Sequence, residues 1–213
     1  MSGAREEVLR RVRAALDNSQ VPPASEYELI ERKYVDAGTL DLPSRVSLFV
    51  DRLHDYGAVV HRCNVNGIQE TIRQAMDSRG KRGLIVPHGL PAIWLPEDFA
   101  FVPDDALSYE ALDRSEGVLT GCAVAIAATG TIVLCHSAAE GRRALSLVPD
   151  YHLCVVYEDQ VVETVPEGIR KLGTYQSDPI TTISGPSATS DIEMTRVKGV
   201  HGPRLLDVVL VAT

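Results

Sequence analysis

An alternation of helix-like and strand-like apolar patterns in the first half of the chain most constrains its fold. Apolar residues at helical spacing across 46–53 predict a helix, which Gly57 ends. Residues 58–61 then predict a short strand, residues 68–76 a second helix, and residues 84–86 a second strand. This strand–helix–strand order is typical of parallel sheets, because parallel strands need a crossover helix between them.

The second half of the chain continues the pattern with a larger share of strands. Strands are predicted at residues 117–127, 131–136, 153–157, 180–184 and 208–211, with a helix at 164–172. Ala128-Thr129-Gly130 divides the first two runs, which predicts a hairpin or a tight bend. Together the elements predict an α/β protein with a Rossmann-like open sheet.

The N-terminal region predicts a helical arm ahead of the main domain. Residues 4–17 form an amphipathic helical pattern, and Pro22-Pro23 breaks it. We therefore predict an arm and linker at residues 1–41 and one α/β domain at residues 42–213.

Composition excludes several classes of function. The formal net charge is −8 and no Lys/Arg block is present, which argues against nucleic-acid binding. No apolar run approaches the roughly 20 residues of a membrane span, and the N-terminus lacks a signal-peptide pattern. The four cysteines stand singly, so the chain predicts no iron–sulfur cluster and no metal site of its own. These features favour a reducing cytoplasm.

The segment from Thr181 to Glu193 is the most informative one for function. A β-branched strand runs into a Gly-Pro-Ser turn, and hydroxyl-rich residues precede an expected helix start. Strand carboxyl ends in open sheets and free N–H groups at helix N-termini both favour an anionic ligand. We predict a ligand-binding loop of Ser184, Gly185, Pro186, Ser187, Thr189, Asp191 and Glu193. Asp191 is also a candidate catalytic group; alternatively, Ser190 or Asp191 only caps the helix.

Two further segments are candidates for the same site. Gly199 and Gly202 flank Val200-His201, and such a frame would hold His201 in a set position as an acid, a base or a neutral donor. Thr129, Gly130 and Thr131 are small residues that would let a ligand approach closely. The alternatives are a plain chain turn around His201 and a plain β-turn at residues 129–131.

Other patterns are weaker or absent. Residues 87–105 form a proline-rich loop that holds His88, and we predict either a lid or mouth over a pocket or a simple surface excursion. His88, His136 and His201 would meet only through the tertiary fold. The chain has no Gly-x-Ser-x-Gly elbow, no Walker loop and no Gly-x-Gly-x-x-Gly.

Two stretches of the chain resemble a known family. Residues 125–134 and 184–203 are similar to the lactate utilization protein C family, the LUD-domain proteins, and residues 149–160 fit it as well. The likeness is close from about Arg114 to the C-terminus. It implies a fold similar to the ribose-phosphate isomerase (RpiA), glucosamine-phosphate deaminase (NagB) and CoA-transferase group. It also implies a role in the oxidation of L-lactate to pyruvate, beside partner proteins that carry the iron–sulfur clusters.

The chain departs from the family pattern at three positions. Ala128 stands where an acidic residue is usual, Ala188 where arginine is frequent, and Asp207 where histidine is frequent. The arginine would bind a carboxylate through two hydrogen bonds. These departures leave open a different ligand or a weakened activity. Two other functions also remain open: a stand-alone enzyme acting on a sugar phosphate, CoA ester or folate-like substrate, and a ligand-binding regulator or scaffold.

Overall fold

The computed structural model describes residues 2–17, 29–31, 33–173, 179–190, 196–198 and 202–213. The chain divides into two compact units, residues 1–34 and residues 35–213. In the first unit, helix α1 spans Ser2–Asp17, as the apolar spacing predicts. The division after Tyr34 falls inside the predicted arm and linker, and the boundary at residue 42 stays a prediction.

The second unit contains the remaining helices and all strands of the described residues. The helices are α2 (Leu42–Asp55), α3 (Ile68–Ser78), α4 (Tyr109–Asp113), α5 (Arg143–Leu147) and α6 (Val165–Leu172), with short 3-10 turns at Val65–Gly67, Ala92–Trp94 and Glu158–Gln160. The strands are β1 (Val59–Asn64), β2 (Gly83–Val86), β3 (Ala100–Pro103), β4 (Val118–Thr120), β5 (Val124–Ile126), β6 (Thr131–Leu134), β7 (Tyr151–Tyr157), β8 (Val161–Val162), β9 (Thr181–Ile183), β10 (Ala188–Ser190), β11 (Arg196–Lys198) and β12 (Leu205–Ala212).

A six-stranded sheet organises this unit. Its strands lie in the order β1-β12-β7-β4-β2-β3, and each neighbouring pair is parallel. The predicted α/β class with an open parallel sheet is confirmed.

Helices cover both faces of the large sheet. The Asp41 carboxylate accepts a hydrogen bond from the Ser44 N–H at 2.9 Å and caps the start of α2. The apolar side of α2 packs with Cys154 and Val156 of β7 in one core cluster. The apolar side of α3 packs with Leu153 of the same strand in another cluster. Alternate residues of β7 therefore face opposite layers, as the two-residue period of a strand requires.

A smaller sheet of four strands packs on the α2 side. It has the order β8-β5-β6-β9, and β5 and β6 form the predicted antiparallel hairpin. The β-rich run at residues 117–127 is divided between two strands, β4 and β5, which belong to different sheets. The Gly121 N–H donates to the Ala139 carbonyl at 3.0 Å, so the chain leaves the large sheet there and enters the small one.

The segment after β9 also differs from its prediction. Ala188–Ser190 form strand β10, which pairs antiparallel with β11 from Ala188↔Lys198 to Ser190↔Arg196. Ser190 therefore lies at the end of a strand. Residues 191–195, where a helix start was expected, lie outside the described residues.

Candidate ligand site

The strand order reverses at the boundary between β2 and β4. From β2 the chain moves outward to the edge strand β3, and it then returns through β4, β7 and β12 towards the other edge. Ligands of open α/β sheets bind outside the carboxyl ends of the strands at such a reversal. A ligand would therefore be expected at the carboxyl ends of β2, β3 and β4.

A loop at residues 136–141 lies over this reversal. The Gly89 N–H, three residues beyond β2, donates to the Ala138 carbonyl at 2.9 Å. The Gly121 N–H, just beyond β4, donates to the Ala139 carbonyl at 3.0 Å. A Cβ atom at Gly89 would overlap the Ala138 side chain. The close approach of the two backbones thus requires glycine at position 89.

A cavity of about 520 Å³ lies beside this loop. A volume of this size is within the range of small-molecule sites. It is lined by Pro87, His88, Asp104, Ala106, His136, Ser137, Ala138, Gly141, Arg142, Arg143, Leu145 and Pro179. Residues from the 87–105 loop line the cavity, so this loop forms part of the mouth of a pocket.

The charged side chains that line the cavity are Asp104, Arg142 and Arg143. Arg142 donates to both carboxylate oxygens of Asp104, Nε to Oδ2 at 2.6 Å and Nη2 to Oδ1 at 3.0 Å. These bonds hold the pKa of the Asp104 carboxyl below its usual range. At the rim, His88 Nε2 lies 2.7 Å from the Asp105 carboxylate. Arg143 is exposed at the cavity, and its guanidinium has no ion-pair partner among the described residues. Its charge is therefore available to an anion.

His136 is held at both ring nitrogens beside the cavity. Its Nδ1 lies 2.8 Å from the Gly141 carbonyl, and its Nε2 lies 2.8 Å from the Thr181 hydroxyl. A carbonyl can only accept, so Nδ1 carries a proton; in the neutral ring Nε2 then accepts from Thr181. The His136 backbone has φ 55°, an uncommon value for a residue other than glycine. The sequence offered His88, His136 and His201 as histidines that only the tertiary fold could bring together. His88 and His136 line one cavity, and His201 lies outside the described residues.

Buried hydrogen bonds of the Glu140 side chain hold the loop at residues 136–141. Its side chain is buried, with 3% of the residue exposed. One carboxylate oxygen accepts from the Ser137 hydroxyl at 2.8 Å, and the other accepts from the Cys135 N–H. A carboxylate that accepts such bonds holds the backbone of residues 135–140 in one arrangement.

The predicted loops at Thr129–Thr131 and Ser184 do meet in space. Thr131 Oγ1 lies 2.7 Å from Ser184 Oγ and 2.7 Å from Thr129 Oγ1. Thr131 begins β6 and Ser184 follows β9, so this hydroxyl cluster lies at one end of the pair of strands. The bond between His136 and Thr181 lies at the other end, since Leu134 pairs with Thr181.

Three glycines of the predicted site, Gly130, Gly185 and Gly202, have conformations that favour glycine. Gly185 has φ 82°, and a Cβ there would overlap the Tyr56 side chain. Gly130 has φ 58°, and a Cβ would lie 2.6 Å from the Arg52 Cβ. Gly202 has φ 116°. The need for glycine at positions 130 and 185 is thus explained by close packing.

The remaining predicted residues are placed only in part. Pro186 is half-buried beside Gly185. The Ser187 N–H donates to the Pro203 carbonyl at 2.8 Å, which brings the Gly-Pro-Ser turn next to Gly202. The backbone of Thr189 lies in β10. The predicted residues outside the described part of the chain are Asp191, Glu193, Gly199 and His201.

None of the described residues of the predicted site lines the cavity at residues 136–143. Ligand binding by the Ser184–Gly202 region therefore stays a prediction. The sequence did not single out Arg143, and it offered His136 only as a histidine that the tertiary fold could bring near others, because the cavity depends on the strand order. The signal that could have found them is a histidine two residues beyond a strand, followed by Gly141-Arg142-Arg143.

Asp207, one of the three departures, has a structural role. It is fully buried near the amino end of β12 and accepts two hydrogen bonds from Arg79, at 2.6 and 3.1 Å. The Tyr151 hydroxyl donates to it at 3.2 Å, and His61 Nε2 lies at 3.5 Å. This cluster lies at the end of the sheet opposite the cavity. Ala128 is exposed, and its N–H donates to the Glu163 carbonyl at 3.0 Å.

No group of three or more histidine, cysteine or acidic side chains is arranged to hold a metal ion in the part of the chain that the structure describes. None of the helices described there has the length and apolar character needed to cross a membrane.

Comparison with known proteins places these features in context. The profile of the LUD domain matches residues 104–211. Lactate utilization protein C of Deinococcus radiodurans is 50% identical over 76% of this chain and 77% of its own length. Lactate utilization protein C of Exiguobacterium sp. is 27% identical over 97% of this chain and 95% of its own. The crystal structure of a DUF162 family protein from Deinococcus radiodurans superposes with a TM-score of 0.71 at 41% identity, over 81% of this chain and 99% of that one.

Proposed function

Because this chain belongs to the LUD-domain family, we propose that it is a subunit of a cytoplasmic lactate utilization system and binds a small anionic ligand. The observation that carries the proposal is the 50% identity to a protein named lactate utilization protein C, over three quarters of both chains. Other relatives with the same name match more distantly. The names of these relatives support a role in lactate utilization.

The cavity beside residues 136–143 is the proposed ligand site. Arg143 would bind the carboxylate of the ligand, since its guanidinium is exposed there and has no ion-pair partner among the described residues. Arg142 is already neutralised by Asp104, so it would shape the wall instead. His136, held at both ring nitrogens, would face the ligand with a fixed orientation. The Ser184–Gly202 region, with His201 and Asp191, is the competing position for the same ligand.

Oxidation of L-lactate to pyruvate removes two electrons, which a redox centre must accept. None of the four cysteines of this chain is in a disulfide, and three of them are buried. We therefore assign the electron-accepting clusters to iron–sulfur partner proteins, as the family resemblance implies. This chain would bind the ligand and assemble with those partners.

The role in metabolism is tested by deletion of the gene. A strain without it, and without a paralogue, should fail to grow on L-lactate and should grow normally on pyruvate. The wild-type gene and an Arg62→Ala variant should restore growth, because Arg62 is exposed on β1 away from the cavity. Unimpaired growth of the deletion strain on L-lactate would remove the lactate role.

The position of the ligand is tested by calorimetry on the purified protein with L-lactate, pyruvate and phosphate. A hydrogen bond to a charged group contributes about 1.5–3 kcal/mol, so Arg143→Ala should weaken binding of the preferred anion roughly ten- to a hundredfold. Arg62→Ala should leave the affinity unchanged. If Arg143→Ala has no effect while Ser187→Ala abolishes binding, the ligand lies in the predicted Ser184–Gly202 loop and the cavity assignment is wrong.

A further inference from the structure

The cavity beside the loop at residues 136–141 is much larger than L-lactate. Its volume is about 520 Å³. L-lactate has three carbon and three oxygen atoms, and even at the roughly 30 Å³ that one water molecule takes up in the liquid, they would fill less than half of that space. Cavities of several hundred Å³ typically enclose most of a ligand that is several times larger than lactate. A bound lactate would therefore leave most of the cavity filled with water.

The backbone conformation of two lining residues marks this cavity as a functional site. Among the described residues other than glycine, positive φ values occur at Ala106, with φ 54°, and at His136, with φ 55°. Both residues line the cavity. This conformation is uncommon for a residue that carries a Cβ, and such residues cluster at active sites and ligand-binding segments. The two positions therefore support a bound ligand here, independently of the names of the relatives.

The charges around the cavity fit a ligand with a single negative charge. Arg142 and Asp104 neutralise each other through two hydrogen bonds. His88, at the rim, faces the Asp105 carboxylate. Arg143 is the lining cation that has no ion-pair partner among the described residues. One guanidinium balances one carboxylate through two parallel hydrogen bonds, whereas a phosphate dianion would keep an uncompensated charge. The lining therefore favours a monocarboxylate over a phosphate ester.

Three small apolar residues are exposed at the cavity. They are Ala106, Ala138 and Pro179. None of their side chains has a hydrogen-bonding group, and the two alanine side chains end at Cβ, which leaves room in front of them. Covering an apolar wall of this kind with an apolar group removes both from water and stabilises the complex. The space next to the carboxylate site therefore suits a side chain longer than the methyl group of lactate.

We infer that the cavity binds 2-hydroxy acids whose side chain is larger than that of lactate, branched or aromatic, and that Ala106 helps to set the accepted size. The inference rests on the proposed function, which supplies the class of hydroxy acids. The carboxylate of the ligand binds Arg143, and its apolar side chain covers Ala106 and Ala138. Lactate binds through the same carboxylate contact but leaves the apolar wall in water.

The test is calorimetry on the purified full-length protein at neutral pH with four L-2-hydroxy acids: lactate, 2-hydroxybutanoate, 2-hydroxy-4-methylpentanoate and 3-phenyllactate. Each methylene group that becomes buried should tighten binding roughly fourfold, so the two largest acids should bind at least about tenfold more tightly than lactate. Arg143→Ala should weaken binding of all four acids by a similar factor, because they share the carboxylate. Equal or tighter binding of lactate would overturn the inference. Tighter binding of the larger acids that Arg143→Ala leaves unchanged would also overturn it, because those acids would then lie elsewhere.

A variant of Ala106 tests the assigned wall. Ala106 already has a positive φ, so the unbranched Cβ of leucine adds no new backbone strain in Ala106→Leu. The larger side chain occupies the space of the ligand's side chain, so the advantage of 3-phenyllactate over lactate should fall below about threefold. Ala111→Leu is the matched control, because Ala111 is exposed on α4 and does not line the cavity; it should keep the wild-type ratio. A wild-type ratio in a folded Ala106→Leu would show that Ala106 does not set the size. The wild-type series decides the class of ligand even if this variant fails to fold.

The outcomes separate this inference from the proposed function. If lactate binds most tightly and depends on Arg143, the proposed function stands and the larger side chain is wrong. If the deletion strain grows normally on L-lactate while the larger acids bind tightly at Arg143, the lactate role is removed and the larger ligand stands. Absence of binding by all four acids would overturn the hydroxy-acid ligand and this inference together.

Discussion

Arg142 and Asp104 are joined by two parallel hydrogen bonds, of 2.6 and 3.0 Å, across the wall of the cavity. Asp104 follows β3, the edge strand of the large sheet, and Arg142 directly precedes α5. The side chain of Asp104 is only 5% exposed, whereas that of Arg142 is 36% exposed. The pair therefore positions Arg143, the neighbouring residue, at the mouth of the cavity.

Replacement of Arg142 tests this role. Arg142→Ala leaves the Asp104 carboxylate buried without its cation, so we expect the free energy of unfolding to fall by about 2–3 kcal/mol. Arg170→Ala is the matched control, because Arg170 and Asp36 form an ion pair with both side chains more than half exposed. Its cost should stay under about 1 kcal/mol. Urea unfolding followed by circular dichroism measures both, and equal losses would show that the Arg142 pair has no special role.

Acid stability should depend on Asp207. Burial opposes ionisation of this side chain, but hydrogen bonds from His61 and Arg79 outweigh it, and the pKa of Asp207 lies below its usual range. A carboxyl whose pKa is lower in the folded protein contributes stability above the unfolded pKa of about 3.9. That contribution is lost as the pH falls through the folded pKa.

The Asp207→Asn variant isolates this contribution. The variant removes the charge and leaves Arg79 with a weaker partner, so we expect the free energy of unfolding to fall by about 3 kcal/mol at pH 7. Its unfolding free energy should also fall less steeply than that of the wild type below pH 4. Urea titrations between pH 7 and pH 3 measure the slope. Parallel curves for the two proteins would mean that Asp207 is not the carboxylate that governs acid unfolding.

Gly185 and Gly57 separate backbone strain from steric overlap. Both have nearly the same positive φ, 82° and 83°, but a Cβ at Gly57 would meet nothing within 4 Å, whereas one at Gly185 would overlap Tyr56. Gly57→Ala should lower the free energy of unfolding by about 1–2 kcal/mol, because a Cβ is disfavoured at this positive φ. Gly185→Ala should lower the free energy of unfolding by about 1–3 kcal/mol more than that, because its Cβ would also overlap a neighbouring side chain. Thermal unfolding of the two variants gives the difference, and a smaller loss at Gly185 would contradict the close packing on Tyr56.

Local patterns were enough to predict most elements of the fold. The helix predicted from the apolar spacing at residues 46–53 is α2, which ends just before Gly57. The helix predicted at residues 164–172 is α6, and the side chains of Thr164 and Glu167 cap its start. The strand order required contacts that no local pattern encodes, such as the pairing of Ile85 with Val118. The split of residues 117–127 between two sheets depends on one such long-range bond, from Gly121 to Ala139.

The candidate site was harder to predict than the fold for the same reason. Thr131 and Ser184 are 53 positions apart in the sequence. They are close because β6 pairs with β9, and the composition of the two segments did not reveal that pairing. The cavity at Arg143 and His136 depends on the reversal of strand order between β2 and β4. A sequence reading can identify strand ends, but only the order of the strands determines which ends become neighbours.

The hydroxyl cluster at Thr131 gives a last test of the predicted loop. Thr131 is buried and its Oγ1 bonds both Ser184 and Thr129, whereas Thr182 is exposed on the neighbouring strand. Thr131→Val keeps the side-chain shape but removes the hydroxyl oxygen, so we expect the free energy of unfolding to fall by about 1 kcal/mol. Thr182→Val should change stability by less than about 0.5 kcal/mol. If Thr131→Val instead leaves stability unchanged and weakens the affinity for L-lactate or pyruvate in calorimetry, the hydroxyls serve the ligand rather than the fold, and the site belongs at Ser184 instead of Arg143.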